Sequence, residues 1–500
     1  MIQKRRVLIN AISSVIQTIT VAGVLFVLYR FILHTIGVKK LGVWSVVLAI
    51  TSVASIANLG LSASVVKFVA KYVARDQKET VAGVIQTAVV SIAVIIGILL
   101  LVIYPFAGWL LRFVVPSESI KDALSILPYG LIALWLTMIA SVFQSGLEGH
   151  QRVDLRSILF TAGAVFYLIL CFLLVPSYGL MGLAYARVIQ AIALMAGSWL
   201  LLRRLMPGLP IIRYRWNRRL FREMMGYGLN FQVISISQLL YDPITKSLLT
   251  KFGGLSITGF YEMASRMILQ LRALLVSANR VLVPTIADLQ ERNSKIIDEV
   301  YKDSYNLMLY LALPLFFIVV ALTPIISRLW IGYYQSTFVT LSILLAIGWL
   351  INTLTAPAYF ANLGIGELRW NTIGHVIIAV LNFSLGLLLG RIYGGMGVTV
   401  AWVFALIVGS LVITLSYHLK HKIRLLELLS RENSFVVLGA LCASAIAISL
   451  YRMLNSRLNL ASMLLLLTFV FLGVVSFPLW KHPIRRKAIR WISAELLKGK

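Results

Sequence analysis

The chain of 500 residues is 60% apolar and 13% charged, with a mean hydropathy of +0.90. Soluble domains carry about 25% charged residues, so this composition excludes a soluble globular protein and indicates an integral membrane protein. The net charge of +28 would suggest nucleic acid in a soluble protein. Here basic cytoplasmic loops explain most of that excess, so we expect no nucleic-acid partner.

About fourteen apolar segments along the chain are long enough to cross a bilayer, judged in windows of about 19 residues. These predicted spans 1 to 14 lie near 7–33, 41–64, 81–104, 124–147, 157–177, 179–202, 227–251, 257–283, 305–327, 337–360, 371–391, 395–418, 433–452 and 461–479. They predict an all-α integral membrane protein. Cys171 and Cys442 fall inside apolar segments, so we expect neither a disulfide nor a metal site.

Basic residues concentrate in alternate loops, which sets the orientation in the membrane. They cluster at Lys4–Arg6, between Lys67 and Lys78, from Arg203 to Arg222, and in the C-terminal tail. Because cytoplasmic loops are rich in Lys and Arg, both termini are predicted to be cytoplasmic. Two basic stretches, 213–225 and 484–497, carry apolar stripes at helical spacing and are predicted to lie on anionic membrane lipids.

Short motifs in the first half of the chain return in the second half. The pairs are LGVW and TGFY, GLEGHQR and LGIGELR, and YGLMGLAYA and YGGMGVTVA, at 41–44 and 258–261, 146–152 and 363–369, and 178–186 and 393–401. Because each copy holds an even number of spans, the copies share one orientation. We therefore predict two parallel six-helix repeats that form two lobes around a central cavity, followed by two C-terminal helices.

The repeat also divides the chain into predicted domains. They are a first lobe at 1–204, a basic cytoplasmic amphipathic linker at 205–226, a second lobe at 227–420, and two extra helices with a basic cytoplasmic tail at 421–500. Neither a long loop nor a phosphate-binding GxxxxGK[ST] motif occurs in the sequence, so we expect no enzymatic domain.

Charged and amide side chains lie inside several predicted spans, where each charge costs about 2.5–3.5 kcal/mol. They include Gln17 and Arg30 in span 1, Arg187 in span 6, Gln238, Asp242 and Lys246 in span 7, and Glu262, Arg266 and Arg272 in span 8. Asp242 with Lys246, and Glu262 with Arg266, are four residues apart and can neutralise each other on a helix. The remaining arginines have no acidic partner in any span, which predicts a water-filled cavity or an anionic ligand.

The two repeat copies differ at span 8. Glu262, Arg266 and Arg272 align with Ser45, Ala49 and Ser55 of the first copy, which carry no charge. Because helix packing alone does not require this difference, we interpret the charged residues of span 8 as ligand-binding groups on one wall of the predicted cavity.

The GVWS start of span 2, NLGLSASVVKFVAKY at 58–72 and the GLMG and GGMG hairpins give the chain a family resemblance. It resembles polysaccharide (O-antigen-type) flippases of the multidrug/oligosaccharidyl-lipid/polysaccharide (MOP) exporter superfamily. It lacks the arginine- and aspartate-rich opening of lipid II flippases in spans 1 and 2. The resemblance implies a multi-pass protein of the plasma (inner) membrane of a prokaryote. It would move polyprenyl-pyrophosphate-linked oligosaccharide to the outer leaflet by alternating access, for surface polysaccharide biosynthesis.

The resemblance also implies a cationic cavity for the pyrophosphate and sugars of a lipid-linked oligosaccharide, and polysaccharide synthesis enzymes as partners. The positions that fit this cavity are Arg30, Arg187, Lys246, Arg266 and Arg272, with Gln17, Gln238 and Tyr241 for the sugars. Asp242 and Glu262 would serve charge pairing or coupling. No cofactor is expected, and coupling to protons or sodium stays open.

Two other functions fit the sequence less well than a flippase. A multidrug or cation antiporter of the same superfamily would need a membrane carboxylate, commonly in the first lobe, but spans 1–6 contain neither Asp nor Glu. A polymerase or ligase that uses lipid-linked sugars would need a sizeable outer loop with catalytic groups, and every predicted outer loop is short.

Overall fold

A computed structural model describes residues 2–58, 60–207, 209, 215–228, 232–279, 282–292, 296–424, 430–455 and 457–487. All regular secondary structure in these ranges is helical, which confirms the predicted fold class. Helices suit a bilayer because they pair their backbone N–H and C=O groups internally. Of the two predicted basic stretches, residues 488–497 of 484–497 and residues 213 and 214 of 213–225 lie outside the described ranges.

Long helices form almost the whole described chain. In order they are α1 Ile2–Ser52, α2 Leu61–Val73, α3 Lys78–Val114, α4 Ile120–Gly149, α5 Val153–Tyr178, α6 Leu180–Leu205, α7 Arg218–Gly228, α8 Gln232–Asn279, α9 Leu282–Arg292, α10 Ile297–Ile331, α11 Ser336–Leu354, α12 Ala356–Ile365, α13 Arg369–His421, α14 Arg431–Leu454 and α15 Leu460–Lys481. Short 3-10 turns cover Val53–Asn58 and Ser117–Ser119.

Ten helical segments of the described chain are long and apolar enough to cross a membrane. α8, which covers predicted spans 7 and 8, is not among them, because charged and polar side chains interrupt its apolar surface. The composition of α8 therefore sets it apart from the other long helices. The chain is a multi-pass membrane protein, and the passage of α8 through the bilayer stays a prediction.

Three long helices each cover two predicted spans, and in each of them the two segments meet at a kink formed by a glycine. Gly37 in α1 has φ 82° and ψ 166°, and Gly254 in α8 has φ 80° and ψ 171°. Gly394 in α13 (φ 62°, ψ −149°) resembles Gly179 between α5 and α6 (φ 55°, ψ −128°). Glycine reaches positive φ without steric cost. The matched angles at repeat-related positions support the internal repeat, whose full arrangement stays a prediction.

The chain divides into two compact units, Met1–Gly259 and Phe260–Lys500. The division falls inside α8, a few residues beyond the kink at Gly254. The predicted domain limits at 204, 226 and 420 were set by the sequence repeat, which is a different criterion from the division into compact units. These limits stay predictions.

In the first unit, α4 packs against α1, α2, α3 and α6, and α5 packs against α1 and α6. The short helix α7 is attached to this bundle by hydrogen bonds. Trp216 Nε1 donates to Ser91 Oγ at 3.0 Å, and Ser64 Oγ donates to the Met224 carbonyl at 2.7 Å. The sequence predicts an apolar helical stripe of Trp216, Leu220 and Met224, but the helix begins at Arg218, so Trp216 lies before it and outside the stripe. The stripe ends on Met224, which is buried against protein.

Two glycines allow a close backbone crossing inside the first unit. A Cβ atom added to Gly42 would lie 2.0 Å from the carbonyl oxygen of Leu255, and one added to Gly259 would lie 2.5 Å from that of Val38. The contact is reciprocal under the sequence repeat, because Val38 aligns with Leu255 and Gly42 with Gly259. Only glycine fits at either position.

In the second unit, α10 packs against α11, α14 and α15. The two C-terminal helices bury apolar side chains such as Ala447 and Phe471 against Ile325 of α10. α12 packs on α9 and α13, and Tyr301, Ala358 and Tyr417 belong to the core at that end. The second unit therefore includes α14 and α15 in one packed bundle.

Candidate functional site

Two charge pairs lie on α8, one on each side of its kink. Lys246 Nζ donates to Asp242 Oδ2 at 2.6 Å, and Arg266 Nε donates to Glu262 Oε1 at 2.8 Å. Both pairs join residues four apart, the spacing at which side chains of a helix meet. The predicted pairing is confirmed.

The two pairs bury opposite charges. In the first unit the side chain of Lys246 is 2% exposed and that of Asp242 is 47% exposed. In the second unit the side chain of Glu262 is 4% exposed and that of Arg266 is 41% exposed. The accessible member is therefore an anion in the first unit and a cation in the second.

Arg272 is held in the second unit by neutral side chains. Its Nε donates to Asn352 Oδ1 at 3.1 Å, and Asn352 Nδ2 donates to Ser410 Oγ at 2.8 Å. Because each end of the Asn352 amide has its own partner, the amide cannot turn over without loss of both bonds. This chain from α13 through α11 to α8 fixes the orientation of the guanidinium.

The guanidinium of Arg272 also stacks on an aromatic ring. Its central carbon lies 4.8 Å from the centre of the Trp349 ring, within the range of a cation–π interaction. No carboxylate within the described ranges forms an ion pair with Arg272. Within the described ranges, neither a hydrogen bond nor an ion pair engages its two terminal nitrogens. The terminal nitrogens of an arginine can bind phosphate or carboxylate oxygens in bidentate fashion.

Further polar side chains continue through the interior of this unit. Thr414 Oγ1 donates to Thr355 Oγ1 at 3.1 Å, and Asn371 Nδ2 donates to the Tyr359 carbonyl at 3.0 Å. His375 is buried edge-to-face against the Tyr359 ring, with the ring centres 5.6 Å apart. Neutral donors and acceptors thus dominate the interior around α11, α12 and α13.

Arg187 in the first unit is held by the same types of group. Its Nη1 donates to Gln190 Oε1 at 2.6 Å, and Gln190 Nε2 donates to the Gly163 carbonyl at 2.9 Å. The guanidinium lies 6.0 Å from the centre of the Tyr167 ring. Each unit therefore contains an arginine bound to an anchored amide and an aromatic ring. In the first unit a terminal nitrogen, and not Nε, makes the amide contact.

The remaining predicted site residues are spread over α1 and α8 of the first unit. Arg30 is exposed, and neither a hydrogen bond nor an ion pair joins it to the described chain. Gln17 is half-buried, Gln238 is exposed and Tyr241 is buried. Their predicted roles in sugar or pyrophosphate binding stay predictions.

The sequence prediction missed the partners of Arg272. Trp349 and Asn352 lie three residues apart in span 10, and Ser410 and Thr414 lie four apart in span 12. Such spacing places polar groups on one helix face, and it was available from the sequence. The contact of Arg272 with Asn352, 80 positions away along the chain, has no such local signal.

No group of three or more His, Cys, Asp or Glu side chains that could hold a metal ion occurs among the residues that the structure describes. Cys171 is buried and Cys442 is exposed, and both thiols are free. The polar groups described above are therefore the candidate site.

Comparison with known proteins gives a family and a curated relative. A family profile described as "Polysaccharide biosynthesis protein" matches residues 7–290. A protein of Shigella flexneri described as a candidate O-antigen transporter is 22% identical over 398 residues, which are 77% of this chain and 92% of that protein.

Two solved structures share the fold. "Lipid II flippase MurJ" in an inward closed conformation superposes with a TM-score of 0.70 at 15% identity, over 94% of this chain and 98% of its own. An inward-facing multidrug resistance MATE family transporter of the MOP superfamily gives a TM-score of 0.69 at 15% identity, over 82% and 98%. At such identity the likeness establishes the fold alone.

Proposed function

Since the chain belongs to the polysaccharide biosynthesis protein family and has the MOP transporter fold, we propose that it is a flippase for lipid-linked oligosaccharides. It is a membrane transporter and not an enzyme. Its proposed substrate is an oligosaccharide repeat unit on polyprenyl pyrophosphate, moved by alternating access from the cytoplasmic to the outer leaflet of the inner membrane. Both termini are proposed to lie in the cytoplasm.

One observation carries this proposal: the interior arginine Arg272 is oriented by neutral groups only. Asn352 takes its Nε and Trp349 covers one face, so its full positive charge is not cancelled by a neighbouring carboxylate. A positive charge inside an apolar bundle is costly unless it meets water or an anion. A pyrophosphate supplies several anionic oxygens at the spacing of the guanidinium fork.

Arg266 adds a second accessible cation two turns earlier on α8. Its carboxylate partner Glu262 is buried while the guanidinium is 41% exposed, so this pair offers mainly positive charge to a ligand. We propose that Arg266 and Arg272 bind the pyrophosphate. Arg30 and Arg187 are proposed as further cationic contacts, and Gln17, Gln238 and Tyr241 as contacts to the sugars.

Lys246 fits the anion role less well than the other predicted cations. Its ammonium is buried and directed at Asp242, which is the accessible member of that pair. We propose that Lys246 fixes the Asp242 carboxylate and that Asp242 is the site at which a proton or sodium ion would couple. Transport with the proton and sodium gradients collapsed separately tests this role. Transport that is unchanged when either gradient is collapsed would contradict the coupling role of Asp242.

The accessible carboxylate of Asp242 also favours a second candidate function, a multidrug or cation antiporter. Such a transporter attracts cationic compounds, whereas the exposed cations of the second unit attract anions. Export of a cationic dye by the wild-type protein, with no movement of a pyrophosphate lipid, would favour the antiporter over the flippase.

The flippase is tested in proteoliposomes with a fluorescent oligosaccharide on polyprenyl pyrophosphate. Delivery to the far leaflet is measured by access of a membrane-impermeant lectin. Arg272→Gln should reduce the rate by roughly 100-fold, since charged hydrogen bonds contribute about 1.5–3 kcal/mol. Arg391→Gln, which changes an exposed arginine at the end of a predicted span, is the matched control and should transport normally.

A companion variant removes the other cation without exposing a buried charge. Arg266→Gln combined with Glu262→Gln neutralises both members of the pair, so no buried carboxylate remains charged. We expect this double variant to deliver substrate more slowly than wild type and faster than Arg272→Gln. Normal delivery by properly inserted Arg272→Gln would contradict the proposed function.

A further inference from the structure

A cavity of about 230 Å³ lies within the second unit, between the C-terminal end of α8, α9 and the N-terminal part of α10. Most of its wall is apolar and includes Leu275, Leu282, Leu307, Met308 and Leu311. A cavity lined by such side chains does not hold water readily, because water needs several polar partners. The mainly apolar wall suits a hydrocarbon chain.

One buried donor in the wall lacks a partner. Asn279 is 5% exposed, and its Oδ1 accepts a hydrogen bond from Ser304 Oγ at 2.9 Å. Asn279 lines the same cavity, and its Nδ2 has no hydrogen-bond partner in the described part of the chain. Because a buried donor is costly when unsatisfied, an occupant of the cavity should bring a hydrogen-bond acceptor.

Charge restricts the type of acceptor. Asp303 is the charged residue of the lining, and its carboxylate pairs with Lys487 Nζ at 2.8 and 2.9 Å. A phosphate next to Asp303 would meet a like charge whose counter-ion is already engaged. A neutral carbonyl oxygen meets no such repulsion, so an ester of an apolar chain fits better than a pyrophosphate.

Position along α10 places this carbonyl near the membrane surface. α10 has 35 residues, which gives roughly 50 Å at 1.5 Å per residue and exceeds a hydrocarbon core of about 30 Å. Ser304 lies two turns from the start of α10, so a helix centred on that core would have Ser304 near the boundary between headgroups and acyl chains. Leu311, which lines the cavity, is 40% exposed, so the cavity reaches the surface of the unit.

We propose that this cavity binds an acyl chain of an inner-leaflet phospholipid, with the ester carbonyl accepting a hydrogen bond from Asn279 Nδ2. The inner leaflet follows from the predicted cytoplasmic position of the α8–α10 connection. The site is separate from Arg272 and does not depend on the proposed substrate.

Photo-crosslinking tests the site in the full-length protein. The protein is placed in phosphatidylcholine vesicles that contain a phosphatidylcholine with a photoreactive diazirine in its acyl chain. After irradiation, mass spectrometry should find Leu275, Leu307 and Met308 labelled more strongly than the lipid-facing control Leu388. Labelling of these three residues no stronger than that of Leu388 would overturn the proposal.

Two variants separate the carbonyl contact from general lipid exposure. Asn279→Leu should lower the labelling of Met308 by about fivefold, the effect of one neutral hydrogen bond. Leu315→Trp, on the exposed side of α10 outside the cavity, should leave it unchanged. A polyprenyl-phosphate photoprobe that labels Met308 in preference to the phospholipid would overturn the choice of occupant. If Asn279→Leu does not insert, labelling of the wild-type protein still decides the proposal.

Discussion

The two halves of α8 carry charge pairs of the same spacing and opposite burial. Before the kink at Gly254 the cation Lys246 is buried and the anion Asp242 is accessible. After the kink the anion Glu262 is buried and the cation Arg266 is accessible. One helix therefore presents negative charge in the first unit and positive charge in the second.

A charge pair in a membrane helix does not appear neutral to a ligand when its two members differ in exposure. A ligand can make direct contact only with the member of a pair that remains accessible, because the surrounding side chains cover the buried member. In the second unit this adds the accessible guanidinium of Arg266 to the interior cation Arg272. In the first unit the accessible charge of the pair is the negative one of Asp242, opposite in sign to the cations that the sequence predicts for that half.

Removal of the accessible member of each pair should have the largest effect on stability. Asp242→Leu leaves the buried Lys246 ammonium without its carboxylate, and Arg266→Leu leaves the buried Glu262 carboxylate without its guanidinium. Loss of one partner of a buried pair costs about 3–5 kcal/mol, so both variants should lower the apparent melting temperature in detergent by many degrees.

The reciprocal variants serve as controls for that experiment. Lys246→Leu and Glu262→Leu leave a half-exposed charge that solvent can stabilise, so each should cost only about 1 kcal/mol. Equal losses of stability after removal of the buried and of the accessible member would contradict the prediction that burial sets the energetic cost.

A smaller effect should distinguish the two anchored arginines. Asn352→Asp and Gln190→Glu keep the size of the amide and place a carboxylate against Arg272 or Arg187. Because Arg272 is the proposed main pyrophosphate ligand, Asn352→Asp should lower transport at low substrate concentration by about tenfold, or 1.4 kcal/mol. Gln190→Glu should have a lesser effect, since Arg187 already uses a terminal nitrogen for the amide.

Transport measured across a range of substrate concentrations checks this difference. Weakened substrate binding raises the concentration needed for half-maximal transport and leaves the maximal rate largely intact. A fall in maximal rate alone, or equal effects of the two variants, would assign Asn352 a purely structural role.

The smallest predicted effect concerns the aromatic contacts. Trp349→Phe keeps a ring beside Arg272 but weakens the cation–π interaction, which contributes about 0.5–2 kcal/mol with tryptophan. Transport should fall about threefold. Tyr167→Phe, beside Arg187 at the longer distance of 6.0 Å, should transport like the wild type. A larger loss at Tyr167 than at Trp349 would contradict the ranking of the two arginines.

Local patterns were sufficient to predict much of the fold. Runs of apolar residues predicted helices throughout the chain, and the four-residue spacing predicted both pairs on α8. These features depend on neighbours within one or two helical turns. The accessible member of each pair was not predictable, since burial depends on which other helices cover α8.

Long-range contacts explain the remaining differences from the sequence prediction. Asn352 and Ser410 come from two other helices, so the anchoring of Arg272 required the tertiary structure. The same holds for α7, whose arginines and apolar stripe are typical of a membrane-surface helix. Hydrogen bonds from Trp216, just before the helix, to Ser91 and from Ser64 to Met224 attach it to protein, and its place on anionic lipids stays a prediction.

The reciprocal crossing at Gly42 and Gly259 has a consequence for the genetics of this protein. The atoms that exclude a side chain there are the main-chain carbonyl oxygens of Leu255 and Val38, which every amino acid possesses. A change of codon 42 or codon 259 to alanine therefore has no suppressor at the contacting position. After an ancestral duplication, both codons would stay confined to glycine, however far the rest of the two copies diverged.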